Sequence, residues 1–192
     1  PSIAHIKTGV SRDGELLARK LTIIYDTGAY ADDGPYIAVA PTLFGAGPYQ
    51  IPNVWIDSYA VYTNNPIGGA MRGFGNPQVH WAVESQMDMI AEDLGIDPVG
   101  IRMKNAVEEG SLQPSTGEIL HSVGLKETLR RATHAIEWKK KRSFGKGVGI
   151  ACGYHFMVPS MQSSAIVKVN DDGSVEIISA GIELGQGVDT SL

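Results

Sequence analysis

The sequence has 192 residues, 43% of them hydrophobic and 19% charged, with a formal net charge of -5 and one cysteine, Cys152. This apolar content excludes a disordered chain, the acidic balance argues against nucleic acid as the main partner, and no run of ~20 consecutive apolar residues is present to span a membrane. A single cysteine leaves this chain without a disulfide framework, a thiolate zinc site or an iron–sulfur cluster of its own, and a reducing, cytoplasmic setting is the expectation.

In chain order, residues 3–10 and 15–27 read as two strands joined by a turn at Asp13-Gly14. Pro35 to Phe44 is apolar and reads as a short buried helix or an irregular segment, because Pro41 opposes a long helix. Val54 to Thr63 reads as a strand. From Pro77 to Leu94, apolar residues recur at Val79, Val83, Met87, Ile90 and Leu94, a helical period with Pro77 in the first turn and Gly95 at the stop. Residues 98–105 read as a second helix, and Leu125, Leu129, Ala132 and Ile136 mark a third that ends near Trp138.

The character then changes. Lys139-Lys140-Lys141-Arg142 leads into Gly145 and Gly147, which together read as a linker over 139–147. A strand is expected over 146–158, and a second hairpin over 163–170 and 174–180 turns at Asp171-Asp172-Gly173. Strands and helices fall into blocks, which predicts an α+β fold of two layers, with antiparallel hairpins packed on helices. The expected organisation is a first region over 1–138 and the start of a second over 148–192. The chain begins at Pro1 without a signal peptide, and ends where Asp189 and Thr190 suit a helix start; it reads as a piece of a longer polypeptide.

The five histidines show no metal-ligand spacing, and no nucleophile elbow, P-loop or H-E-x-x-H is present. His80 and Glu84, at i and i+4, read as a surface pair, and the Lys139–Arg142 run as a solvated helix end. Two glycine-rich segments remain. Gly68 to Gln78 lies between a strand and the long helix, with Arg72 and Phe74 set among glycines that allow close backbone approach to a ligand. Gly181 to Thr190 repeats the pattern of strand, glycine turn and helix start around Gln186. Together they point to a shared anionic ligand with polar edges.

The run Ala70-Met71-Arg72-Gly73-Phe74-Gly75-Asn76-Pro77-Gln78 resembles the A-x-R-G-[FY]-G-x-x-Q signature of the molybdenum-binding subunit of the xanthine dehydrogenase/aldehyde oxidase family. The likeness continues through Y-x-I-P-N (Tyr49 to Asn53), Y-T-N-x-P (Tyr62 to Pro66), D-L-G-I-D-P (Asp93 to Pro98), R-M-K-N (Arg102 to Asn105), D-G-S-V (Asp172 to Val175) and E-L-G-Q-G (Glu183 to Gly187). It covers nearly the whole chain. It implies molybdopterin, or molybdopterin cytosine dinucleotide, carrying molybdenum, and hydroxylation of an N-heteroaromatic or aldehyde substrate with oxygen from water. It also implies iron–sulfur clusters and FAD on other domains or subunits.

Residue by residue, the resemblance places Arg72 near the molybdenum centre without being a side-chain ligand to it, and Gly73, Gly185, Gln186 and Gly187 at the cofactor. It puts Phe74 and Phe156 on the substrate ring. Ala40 falls where xanthine-oxidising members carry an Arg, and Met157 where they carry a Thr, so the implied pocket is less polar than theirs. The family's Phe-Gly-Gly cofactor turn and its catalytic Glu have no counterpart in this chain, so no catalytic residue is assigned here. Two other readings stand beside this one: a reductive enzyme similar to hydroxybenzoyl-CoA reductase, and a non-catalytic structural domain.

Overall fold

A computed structural model of the chain describes residues 1–155 and 163–191; Phe156 and Met157 lie outside the described residues. The chain divides into two compact units, Pro1–His155 and Phe156–Leu192, so residues 148–155 lie with the first.

The first unit begins with β1 (Ser2–Val10) and β2 (Leu16–Gly28), antiparallel as the Asp13-Gly14 turn requires, with Ile6 opposite Leu21. Exposure in β1 alternates residue by residue. In β2 the inward face is Leu21, Ile23 and Tyr25, all buried. The third strand, β3 (Asn53–Tyr62), for which the sequence reading assigned no partner, pairs with β2 in parallel, Leu21 opposite Ile56, so the sheet is mixed. The reason is the crossover between them. It contains α1 (Gly34–Ile37) and α2 (Ala40–Phe44), two short helices in place of one because Pro35 and Pro41 each fit only a first turn.

The long helix α3 (Asn76–Leu94) covers the inward face of the sheet through Val79, Val83 and Met87, none of them exposed to solvent. It stops at Gly95, whose φ of 65° suits glycine. The next helix, α4 (Pro98–Asn105), is capped by the Asp97 carboxylate, which accepts from Gly100 N at 3.2 Å. Ile101 of α4 is fully buried and joins the same core, while α5 (Leu125–Ala135) buries Leu129.

Residues 146–155, expected as a strand, form no regular element. Three glycines fall within that stretch, at 147, 149 and 153, and side chains of other elements hold its end, as described below. The second unit contains the antiparallel hairpin β4 (Ala165–Val169) and β5 (Val175–Ser179), closed by Asp171-Asp172-Gly173, and the single helical turn α6 (Val188–Ser191). Among the described residues no helix is long and apolar enough to cross a membrane.

Candidate cofactor and substrate site

The turn that enters α3 holds three successive residues at positive φ: Gly73 at 105°, Phe74 at 49° and Gly75 at 87°. For a side-chain-bearing residue such as Phe74 this conformation is disfavoured by about 1 kcal/mol or more, and such strain concentrates at ligand sites. The flanking glycines impose it. A Cβ added at Gly73 would lie 2.7 Å from the Pro77 ring, and one at Gly75 would lie 2.6 Å from the Ile37 carbonyl. Tyr25 donates its hydroxyl to the Gly75 carbonyl at 3.0 Å, fixing the turn to the sheet. The result sets the half-buried Phe74 ring against the core and leaves Arg72 exposed on the outer side.

The same turn meets α2. An added Gly75 Cβ would stand 3.3 Å from the Ala40 Cβ, so Ala40, Gly73 and Phe74, separated by more than thirty residues in sequence, come together. Asn76, only 3% exposed, follows directly. Neither polar atom of its side chain has a hydrogen-bond partner, and one helical turn later the buried Nε2 of His80 is also unpaired. Burying each such atom unpaired costs about 1–3 kcal/mol. Burial pushes the His80 imidazole below its ordinary pKa, Glu84 opposes that shift and His155 adds to it.

Beneath this surface lies a charge network that the sequence reading placed on the outside. Glu84 is buried, and its carboxylate accepts from the Tyr49 hydroxyl, from Arg102 Nε at 2.8 Å and from the Cys152 backbone N–H at 2.8 Å. Arg102 is fully buried and also reaches Asp88 at 2.8 Å and the Pro98 carbonyl at 3.0 Å. Burial alone would lower its pKa, but the Glu84 carboxylate, Tyr49 and the Asp88 carboxylate together outweigh this and raise it. The correction has a simple cause: Val83 turns into the core, and Glu84 beside it faces α4, where R-M-K-N supplies the partner cation. Arg19 is a second buried cation, donating to the Ala46 carbonyl at 2.6 Å and the Thr8 hydroxyl at 3.1 Å; burial lowers its pKa to about 10. Nothing in the hydrophobic alternation of β2 had marked it.

Through Cys152 the network anchors the segment that ends in His155. Gly153 packs on the His80 ring, an added Cβ there lying 3.5 Å from it. The Tyr154 ring stands edge-on to Phe44 with centroids 5.1 Å apart, and its hydroxyl receives Gln113 Nε2 at 3.0 Å. His155 lies 5.8 Å from Phe44. An apolar cleft of about 280 Å³ lies between Pro48, Leu120, Leu125 and Tyr154, and none of the described site residues lines it.

In the second unit, Gly185 and Gly187 have φ of 87° and 83°. The loop they make is closed by Glu183. Its carboxylate accepts from Gly185 N, from Gly187 N at 3.2 Å and from Asp189 N at 3.4 Å, and these N–H groups hold its pKa below the usual carboxylate range. Gln186 is turned back on its own backbone, accepting from Leu184 N and donating to the Ile182 carbonyl, both at 2.6 Å. Among the described residues no group of three His, Cys, Asp or Glu side chains is arranged to hold a metal ion.

Residues 1–106 match the family described as molybdopterin cofactor-binding domain, and residues 119–192 match a second family of the same description. A xanthine dehydrogenase molybdenum-binding subunit of Escherichia coli O157:H7 is 40% identical over 194 residues, covering 95% of this chain and 26% of that protein. The nicotinate dehydrogenase large molybdopterin subunit of Eubacterium barkeri is 47% identical over 133 residues, covering 69% of this chain and 31% of its own length. Among solved structures, the aldehyde oxidoreductase from Desulfovibrio gigas superposes with a TM-score of 0.77 at 32% identity, over 98% of this chain and 22% of that one. The chain thus spans about a quarter of the length of the Escherichia coli molybdenum-binding subunits it matches. It belongs to the molybdopterin cofactor-binding domains of the xanthine dehydrogenase/aldehyde oxidase family.

Proposed function

We propose that this chain supplies one wall of the cofactor and substrate site of a cytoplasmic molybdenum hydroxylase that oxidises an N-heteroaromatic or aldehyde substrate. The observation that carries this reading is the left-handed turn Gly73-Phe74-Gly75 at the start of α3, where positive φ holds one half-buried aromatic ring between two glycines. Molybdopterin or its cytosine dinucleotide, when bound, supplies the molybdenum that moves two electrons while water provides the oxygen. Iron–sulfur clusters and FAD on other domains or subunits take the electrons onward.

The residues of this chain orient and enclose. Phe74 presents a ring face to a flat substrate, with Ala40 beside the turn leaving room for it; Phe156 and Met157, which the family resemblance assigns to the substrate, lie outside the described residues. Arg72 contributes positive charge beside an anionic cofactor, and Gly73 admits it close to backbone. Gly185 and Gly187 shape the second contact, where Gln186 turns from Ile182 and Leu184 to offer its amide to the pterin edge.

Metal analysis and turnover of the full-length protein test this reading together with Phe74→Ala. Molybdenum content should equal that of wild type, while kcat/KM should fall roughly tenfold or more as the ring contact and its packing are lost. A protein purified under molybdenum-replete conditions without molybdenum, or a Phe74→Ala variant that loses molybdenum in place of turnover, overturns it.

A further inference from the structure

The basic run that ends α5 has no role in the cofactor and substrate site. Eight of the chain's 16 lysines and arginines fall between Lys126 and Lys146, together with only two of its 21 acids, so this segment carries +6 in a chain of net charge -5. Both acids are already compensated within the segment: Glu127 pairs with Arg130 and Arg131, and Glu137 with Lys140. Lys139, Lys141 and Lys146 are exposed and make no ion pair among the described residues.

The fold gathers these cations around one aromatic ring. Arg142 turns back to donate to the Ile136 and Glu137 carbonyls at the end of α5, so the run forms a compact turn in place of an extended linker. Residues 143–146 make a second turn, closed by Lys146 N donating to the Ser143 carbonyl at 3.1 Å, with Gly145 at a φ of 78°. Phe144 stands at its tip, fully exposed. A Cβ added at Gly145, Gly147 or Gly149 would meet no atom within 4 Å, so open space surrounds this turn among the described residues.

We propose that this turn, with Phe144 at its tip and Lys139, Lys141, Arg142 and Lys146 around it, docks the protein peripherally on an anionic lipid surface. Three consecutive lysines favour lipid over an acidic protein. Protein interfaces are depleted in lysine and enriched in arginine, whose planar fork suits fixed partners. Ammonium groups on flexible stems suit the diffuse field of a headgroup layer, and a ring projecting between them reaches the acyl boundary just beneath. The acidic remainder of the chain opposes nucleic acid as the occupant, and a phosphate backbone offers Phe144 no apolar phase.

The test is co-sedimentation of the full-length holoenzyme with vesicles of phosphatidylcholine alone, or with about one third phosphatidylglycerol added. Binding should appear only on the anionic vesicles. It should be released as salt rises from about 0.1 to 1 M, where the Debye length falls from about 10 to 3 Å. The triple variant Lys139→Gln/Lys141→Gln/Lys146→Gln should weaken it roughly a hundredfold, from the attraction each lysine feels near an anionic surface. Phe144→Ala should weaken it about tenfold through lost apolar burial. Molybdenum content, turnover in solution and melting temperature should match wild type in both variants. No binding to anionic vesicles, equal binding to the two vesicle types, or wild-type affinity in Phe144→Ala overturns the proposal. Binding to polyglutamate as tight as to anionic vesicles overturns it too, and makes the turn a docking site for an acidic protein. A lowered melting temperature in Phe144→Ala would show that the ring is packed in the full-length protein, which also overturns it.

Discussion

Replacing Arg102 by Met leaves Glu84 as a buried carboxylate without its cation. The side chain of Arg102 is wholly buried, and its charge-assisted bond to Glu84 is 2.8 Å long. Two hydrogen bonds to Glu84 would survive the change, from the Tyr49 hydroxyl and the Cys152 N–H, and neither carries charge. The second acid, Asp88, is 56% exposed, so its contact with Arg102 contributes little. Removing one member of a buried ion pair costs about 3–5 kcal/mol, so a loss of roughly 4 kcal/mol is expected, close to a thousandfold in the unfolding equilibrium. At about 2–4 °C per kcal/mol for a chain of this size, the melting temperature should drop by roughly 8–16 °C. Urea unfolding followed by tryptophan fluorescence measures the loss, and the double variant Glu84→Gln/Arg102→Met should recover part of it by removing the stranded charge. A change below about 1 kcal/mol in Arg102→Met would show that Glu84 is solvated or re-paired, and would refute the account of the network.

Other consequences are open to direct measurement. Burial, chiefly, and the adjoining Glu84 carboxylate raise the Cys152 thiol to about 11, so a disulfide reagent at pH 8 should label it only on unfolding; rapid labelling of the native chain would contradict its placement. Burial lowers the His80 pKa in the folded state, so the unfolded chain takes up a proton first as pH falls below the ordinary histidine range, and stability present above that range is lost on acidification. His80→Gln should flatten that part of the stability profile between about pH 7 and 5, and an unchanged slope would assign it to other groups. Glu183→Ala should speed amide exchange at Gly185, Gly187 and Asp189, and acidification that protonates Glu183 should do the same in wild type; equal protection in both would show that the loop holds without its carboxylate.

The parts of this fold that were legible in the sequence are those set by local rules. Pro77 and Gly95 bracket α3, Asp97 caps α4, and aspartate–glycine turns close both hairpins. Long-range pairing followed no such rule. The parallel placement of β3 depends on a crossover whose two short helices only tertiary packing holds in place. Residues 146–155 look strand-like, yet among the described residues they pair with no strand. Of the site, Arg72, Phe74 and Gln186 stood out because glycines surround them, and Ala40 entered only through the family resemblance. Asn76 and His80 were invisible as a pair: what singles them out is a missing partner, which periodicity cannot report. Glu84 was misplaced because a charge on a helix normally faces water, and its partner Arg102, eighteen positions on, entered only as part of the R-M-K-N run.

That pair bears on the site through α3. The strained turn sits at the first residue of the helix, and Glu84 lies nine residues beyond Gly75, about 14 Å along the axis at the α-helical rise. One rigid element therefore carries the Phe74 turn at its end and, at a fixed distance, the carboxylate that holds Cys152. Residues 152–155 have no sheet to register them; Glu84, the His80 ring, Gln113 and Phe44 set their position instead. A backbone segment fixed in this way takes its precision from side-chain geometry, so shortening any one of those contacts by a methylene should be felt at His155 before it is felt in the sheet. Glu84→Asp is the sharpest such change, because it keeps a carboxylate on α3 and draws back the one oxygen, Oε2, that accepts from both Cys152 N and Arg102 Nε. It should perturb the environment of the His155 ring in NMR spectra while leaving β1, β2 and β3 amide shifts in place; a disturbance spread evenly through the sheet would show that the network supports the core as a whole and not this segment.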